Sequence, residues 1–188
     1  MKNVRVLFAL ALVAALVPAS GALAARSSSG STRIGLGLNL DRADFRMELS
    51  PENAIGGFLK FGVISGDAEG NLIGIGGYYL QRLKPAKPVD FHFLAGLAIN
   101  TGSDSGIALM PDMLSMGMGA DSVTDFMLFG GVGSEYFLPG TDQFSIEANV
   151  GLAIHFASAK AGDWDGSATM ISIEDLTGAV VMLRYYFE

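Results

Sequence analysis

Three basic residues, Arg46, Lys60 and Arg184, and three acidic ones, Glu48, Glu135 and Glu147, all stand on the polar side of segments in which apolar and polar residues alternate. A charge taken out of water is costly alone, so charges sharing an interior must pair or be hydrogen-bonded. Equal numbers of each sign point to a static network that fills an interior, and against a gated polar path for solutes. His92 and His155 are the two histidines. A nucleophile relay of His155, Ser158 and Glu147 fails on an extended strand. His155 and Ser158 would point to opposite faces, and Glu147 would lie roughly 26 Å from His155 at about 3.3 Å per residue. No catalytic residue is assigned.

Two other clusters bear on metal chemistry. Asp163-Trp164-Asp165-Gly166-Ser167, with Glu174 at the twelfth position, partly matches the spacing of a calcium loop. Ala168 stands where the sharp turn needs glycine, and no helical pattern flanks the segment, so an acidic, solvated loop is the better reading. Met110, Met113, Met116 and Met118 offer thioethers that suit Cu(I). Unbranched methionines equally serve as adaptable apolar filler over a mouth or partner. No metal or cofactor is assigned. The absence of cysteine excludes a disulfide framework, a thiolate site, a cysteine nucleophile and an acylated cysteine anchor.

These residues need elements that hold one face polar and the other apolar. Eight segments alternate with period two: 33–40, 43–49, 54–65, 71–83, 89–100, 123–137, 143–158 and 171–187. In the seventh, Phe144, Ile146, Ala148, Val150, Leu152, Ile154 and Phe156 alternate with Glu147, Asn149, Gly151 and His155. Prolines fall only between strands, as expected of residues that cannot donate to a ladder. The turns 50–53, 84–88 and 139–142 are short and contain proline; the connections 101–122 and 159–170 are longer and rich in glycine and acid. An eight-stranded antiparallel up-and-down transmembrane β-barrel is the fold predicted, all-β, with the short turns periplasmic. Its interior would be only wide enough for side chains to fill. Tyr79, Phe91, Phe93, Tyr136, Phe144, Tyr185 and Phe187 then fall at one rim facing lipid, where amphipathic rings are favoured.

The N-terminus fits export. Lys2 and Arg5 precede an apolar run over 6–17, and Ala22-Leu23-Ala24 provides small residues for cleavage. Residues 1–24 are read as a signal peptide, 25–32 as a short flexible lead and 33–188 as one domain. Loss of Lys2 and Arg5 moves the formal charge from −7 to −9, with no basic cluster, which disfavours nucleic acid. Only 16% of residues are charged, below the roughly 25% of soluble domains, and mean hydropathy is +0.40. Apolar outside and small or polar inside is the order a membrane barrel requires.

On this architecture, and on stretches such as GVGSEYFLPGTDQFSIEANVGL around the turn between the sixth and seventh strands, the chain resembles the small outer-membrane β-barrel family. That family is typified by the transmembrane domain of outer membrane protein A and by outer membrane protein X. The resemblance covers residues 33–187. It implies the cell outer membrane, contact with its lipid and lipopolysaccharide, and handling by periplasmic chaperones and the barrel-assembly machinery. Members typically end on an aromatic, whereas here Tyr185-Tyr186-Phe187 is followed by Glu188. The expected function is a non-enzymatic barrel with a plugged polar interior and a structural or surface-interaction role, with 101–122 and 159–170 as candidate partner loops. A small-solute channel is the alternative, and a lipid-modifying barrel enzyme comes third.

Overall fold

A period-two pattern places successive side chains on opposite faces, so a chain with eight such runs can build a sheet with one apolar and one polar surface. In the computed structural model, residues 33–64, 70–83, 88–103, 121–141, 143–176 and 181–187 are described. Residues 1–32, read above as a signal peptide and a lead, and Met110, Met113, Met116, Met118 and Glu188 lie outside them. Strands hold 82% of the described residues, which contain no helix, so the chain is all-β.

The strands are β1 (Ile34–Leu38), β2 (Arg42–Glu48), β3 (Asn53–Ile64), β4 (Gly70–Arg82), β5 (Val89–Gly102), β6 (Ser122–Phe137), β7 (Phe144–Ala161), β8 (Trp164–Asp175) and β9 (Met182–Phe187). Every pairing is antiparallel. Neighbours in sequence pair from β1 to β7, β7 pairs β9, and β9 returns to β1, closing the sheet into a ring.

The eighth segment departs from expectation. It was predicted as one strand over 171–187 after a loop at 159–170. Instead β7 runs on to Ala161, Gly162 turns the chain at φ +58°, and β8 descends from Trp164. Residues 159–170 are thus largely a hairpin. Between Val150↔Asp175 and Glu147↔Met182, three steps of β7 face seven of the other chain, so the strand breaks there. Leu176, just below the break, turns into the interior against the bare faces of Gly131 and Gly151. Leu176 N–H still bonds Asn149 O, so the ladder to β7 reaches this residue. β1 and β2 are joined through a tight turn in which Asn39 N–H bonds Arg42 O.

Among the described residues β8 pairs only with β7, and β3 beyond Lys60 pairs only with β4 apart from one bond from Phe61 N–H to Asp41 O. The end carrying the 49–52 and 138–143 turns is therefore a complete ring of eight strand positions. At the other end the described strands form a wall of six, bounded by β3 and β8.

Inside, the residues stack in three levels. Charged side chains occupy the complete end. Phe58, Leu80, Leu94, Met127, Phe129 and Leu176 form an apolar middle, with the Phe58 and Phe129 rings 6.2 Å apart. A second polar group surrounds His155 above it. Outside, the rows are apolar and exposed, from Phe144 to Phe156 on β7 and from Ile73 to Tyr79 on β4.

Candidate functional site

The charged level is built from strands that each turn alternate residues inward. Arg46 on β2 is at its centre. Its Nη2 donates to both oxygens of Glu147, at 2.7 and 2.8 Å, and its Nη1 to Glu135 at 3.2 Å. Arg184 on β9 donates to Asp44 at 2.6 Å and to Glu147 at 2.9 Å. Arg82 on β4 bonds Glu48 at 2.6 Å and lies 3.3 Å from Asp90. Arg42 and Arg33 complete the set against Asp44 and Glu48, so five arginines face five carboxylates.

Hydroxyls saturate what the guanidinium groups leave. Tyr186 and Ser145 donate to one oxygen of Glu135, at 2.8 and 2.6 Å, and Tyr78 donates to Asp44 at 2.8 Å. Tyr78 can lie across the interior because Gly56 opposite it has no Cβ; any side chain there would overlap the ring. Asn149 links Glu147 to His92, with 2.7 Å to the first and 2.6 Å to the second. Beside Asp44 and Arg184 a cavity of about 10 Å³ remains, room for about one water.

The upper group is smaller. His155 Nδ1 lies 3.0 Å from Asp125, and its Nε2 lies 2.7 Å from Glu174 and 3.1 Å from Ser172. Asn100 donates to the same oxygen of Asp125 at 3.1 Å. Asp125 Oδ1 and Asn100 Oδ1 are buried without a hydrogen-bond partner. Asp, His and Ser here have the spacing of a nucleophile relay. Glu174 defeats it, since it holds the same imidazole nitrogen more closely and accepts the Ser172 hydroxyl at 2.9 Å. The serine proton is directed to a carboxylate, not to the imidazole.

Of the six charged residues picked out by sequence, Arg46, Glu135, Glu147 and Arg184 come together in the charged level, and Glu48 joins them through Arg82. Lys60 does not. It faces Arg42 across the ladder at the top of β2, half-buried and outside the network. Alternation puts Tyr78 and Tyr186 on the inward face without joining them to the charges, and sequence reasoning missed Arg42, Asp44, Arg82 and Asp90, although each lies an even number of residues from a network member or an inward neighbour on its own strand. It also missed Asp125, Asn100, Ser172 and Glu174 as partners of His155. Ser158, on the opposite face, is exposed. Asp163, Asp165 and Ser167 point outward from the β7–β8 hairpin while Glu174 points inward, so the calcium-like spacing does not converge.

Tyr79, Phe91, Phe93, Tyr136 and Phe144 are exposed on the outer face near the complete end, with Tyr185 and Phe187 half-buried among them. Phe144, Tyr185 and Phe187 stack with centroids 4.8 Å apart at each step. The Tyr79 hydroxyl donates to Asn53 in the adjacent turn.

The chain matches no protein-family model, no curated protein and no solved structure. The chemistry must be read from the geometry. In the charged level every arginine and carboxylate faces a counter-charge.

Proposed function

We propose that this chain is an integral outer-membrane β-barrel with a plugged interior and a structural or surface-interaction role. The observation that carries this reading is the outer apolar band and its edges. Aromatic residues ring the lower edge. At the upper edge the ladder aligns the change from apolar to polar, since Thr101 pairs Thr124, Thr124 pairs Ser158 and Ser158 pairs Ser167. On β6 the band runs from Tyr136 to Phe126, a height of about 25 Å once a strand tilt of about 40° is allowed for, which matches the apolar belt of such barrels.

The plug rests on the three interior levels. A solute would have to cross the packed Phe58–Phe129 middle between two polar groups, and hydrocarbon side chains in contact there give ions nothing to coordinate. Membrane fractionation with an alkaline carbonate wash tests the location. Retention in the outer-membrane pellet with heat-modifiable mobility on gels is expected, and release into the soluble periplasmic fraction would overturn the reading. Steady conductance in planar bilayers would replace the plug with the channel.

A further inference from the structure

His155 on β7 stands between inward carboxylates from the two neighbouring strands, Asp125 on β6 and Glu174 on β8. Its Nδ1 lies 3.0 Å from the first and its Nε2 lies 2.7 Å from the second. An ionised carboxylate can only accept, and a neutral imidazole has a single N–H to donate. Meeting both carboxylates takes a hydrogen on each nitrogen, which is the imidazolium form.

The surrounding charges agree. Among the described residues, the polar groups that face the ring are Asp125 from β6, Glu174 and Ser172 from β8 and, through Asp125, Asn100 from β5. Lys60 on β3 acts electrostatically on Glu174. Met127 and Met170, the partners of His155 across the two ladders, are uncharged. Two carboxylates are then balanced by an imidazolium and an ammonium, whereas a neutral His155 would leave one negative charge in excess in the interior.

The two contacts do not depend on the proton equally. The Asp125 side chain is fully buried, while that of Glu174 is 31% exposed. A neutral tautomer that keeps the Nδ1 hydrogen preserves the bond to Asp125 and turns a bare Nε2 towards the Glu174 carboxylate. Two acceptors then face each other, and Glu174 is the one with a route to water. Ser172, 3.1 Å from the same nitrogen, is placed to give Nε2 the hydroxyl hydrogen that it otherwise gives to Glu174.

We infer that His155 is a proton-operated clamp. As an imidazolium it holds Glu174, and with it the lower part of β8, to the interior; on losing the Nε2 hydrogen it releases Glu174 and keeps Asp125. Two residues below Glu174 the chain enters the seat of Leu176, so clamp and seat together fix the end of β8. The clamp is a property of the interior and is independent of what covers the outer face.

Imidazole nitrogen NMR of the isotope-labelled full chain in micelles tests this, with His155 assigned by its loss in His155→Gln. At pH 7 both ring nitrogens should carry hydrogen, and at higher pH Nε2 alone should become bare. A bare Nε2 at pH 7, or loss of the Nδ1 hydrogen first, would overturn the clamp. Glu174→Gln should lose the Nε2 hydrogen at a pH lower by about one unit or more, and Lys60→Gln at a higher pH, because the two changes remove charges of opposite sign. The same titration in Glu174→Gln as in the parent chain would equally overturn it. Amide exchange at pH 7 reads the hold on β8. Leu176 N–H bonds Asn149 O, so by alternation Ser172 N–H also faces β7. Both amides should exchange about tenfold faster or more in Glu174→Gln, as loss of a charged hydrogen bond would produce, while β7 amides at the complete end keep their rates. Unchanged exchange at Ser172 and Leu176 would leave the clamp without a grip and overturn it.

Discussion

The two polar levels inside the ring use the same residue types to opposite effect. At the complete end, five arginines and five carboxylates are held by strands on every side, and Arg46 and Arg184 meet acceptors from two or three directions. At the six-stranded end, one imidazole bridges two carboxylates. Both levels keep a few buried polar atoms without a hydrogen bond, Arg82 Nε and His92 Nδ1 in one and Asn100 Oδ1 and Asp125 Oδ1 in the other. The levels differ in how many ion pairs share the load, because a wall closed on all sides lets charges converge from every strand.

The charged level should be the more fragile. Arg184→Met leaves Asp44 and Glu147 buried with an arginine lost, and should cost about 3 to 5 kcal/mol in urea unfolding from micelles. Glu147→Gln in the same background should recover part of that loss. Glu135→Gln should recover less, because Arg184 lies 3.9 Å from Glu135 against 2.9 Å from Glu147. Equal rescue by both would mean that the level acts as a pool of charge and not as specific pairs.

On the outer face, Leu152→Arg probes the wall that both levels share. It sits midway along the exposed row of β7 and should cost about 2 to 4 kcal/mol if that row meets hydrocarbon. Full tolerance in refolding assays would point to a water-facing wall.

At the upper level the expected effects shrink. His155→Gln removes the bridge between Asp125 and Glu174. The fully buried Asp125 then loses a partner while Glu174 can turn to solvent, so a cost of about 1 to 3 kcal/mol is expected. A loss as large as that of Arg184→Met would erase the difference between the levels. Smallest of all, Lys60→Gln should cost less than about 1 kcal/mol, since the half-buried ammonium has Glu174 as an electrostatic neighbour but no close ion pair.

Much of this architecture was legible in the chain. Alternation located seven of the strands to within three residues at either end and put Arg46, Glu135, Glu147 and Arg184 on one face, because a period of two leaves no choice of side once a strand is granted. It could not distinguish a strand that continues past an apolar band from a loop, which is why the β7–β8 hairpin was read as a connection. Outward residues above the band turn polar, and polarity on both faces resembles a loop.

The composition and period of the sequence by themselves determined an all-β chain with an apolar outer face and a charge-balanced inner one, since each is a property of residue type and spacing along a strand. Which charges meet was decided only by tertiary structure. Ladder register brings Arg46 of β2 to Glu147 of β7 and Arg42 to the carbonyl of Leu176, pairs 101 and 134 residues apart. The seat of Leu176 belongs to the same class, because its side chain packs over Gly151 of the neighbouring β7 and Gly131 of β6, positions remote from it in sequence. Local pattern sets the face a residue takes; closure of the ring sets its partner.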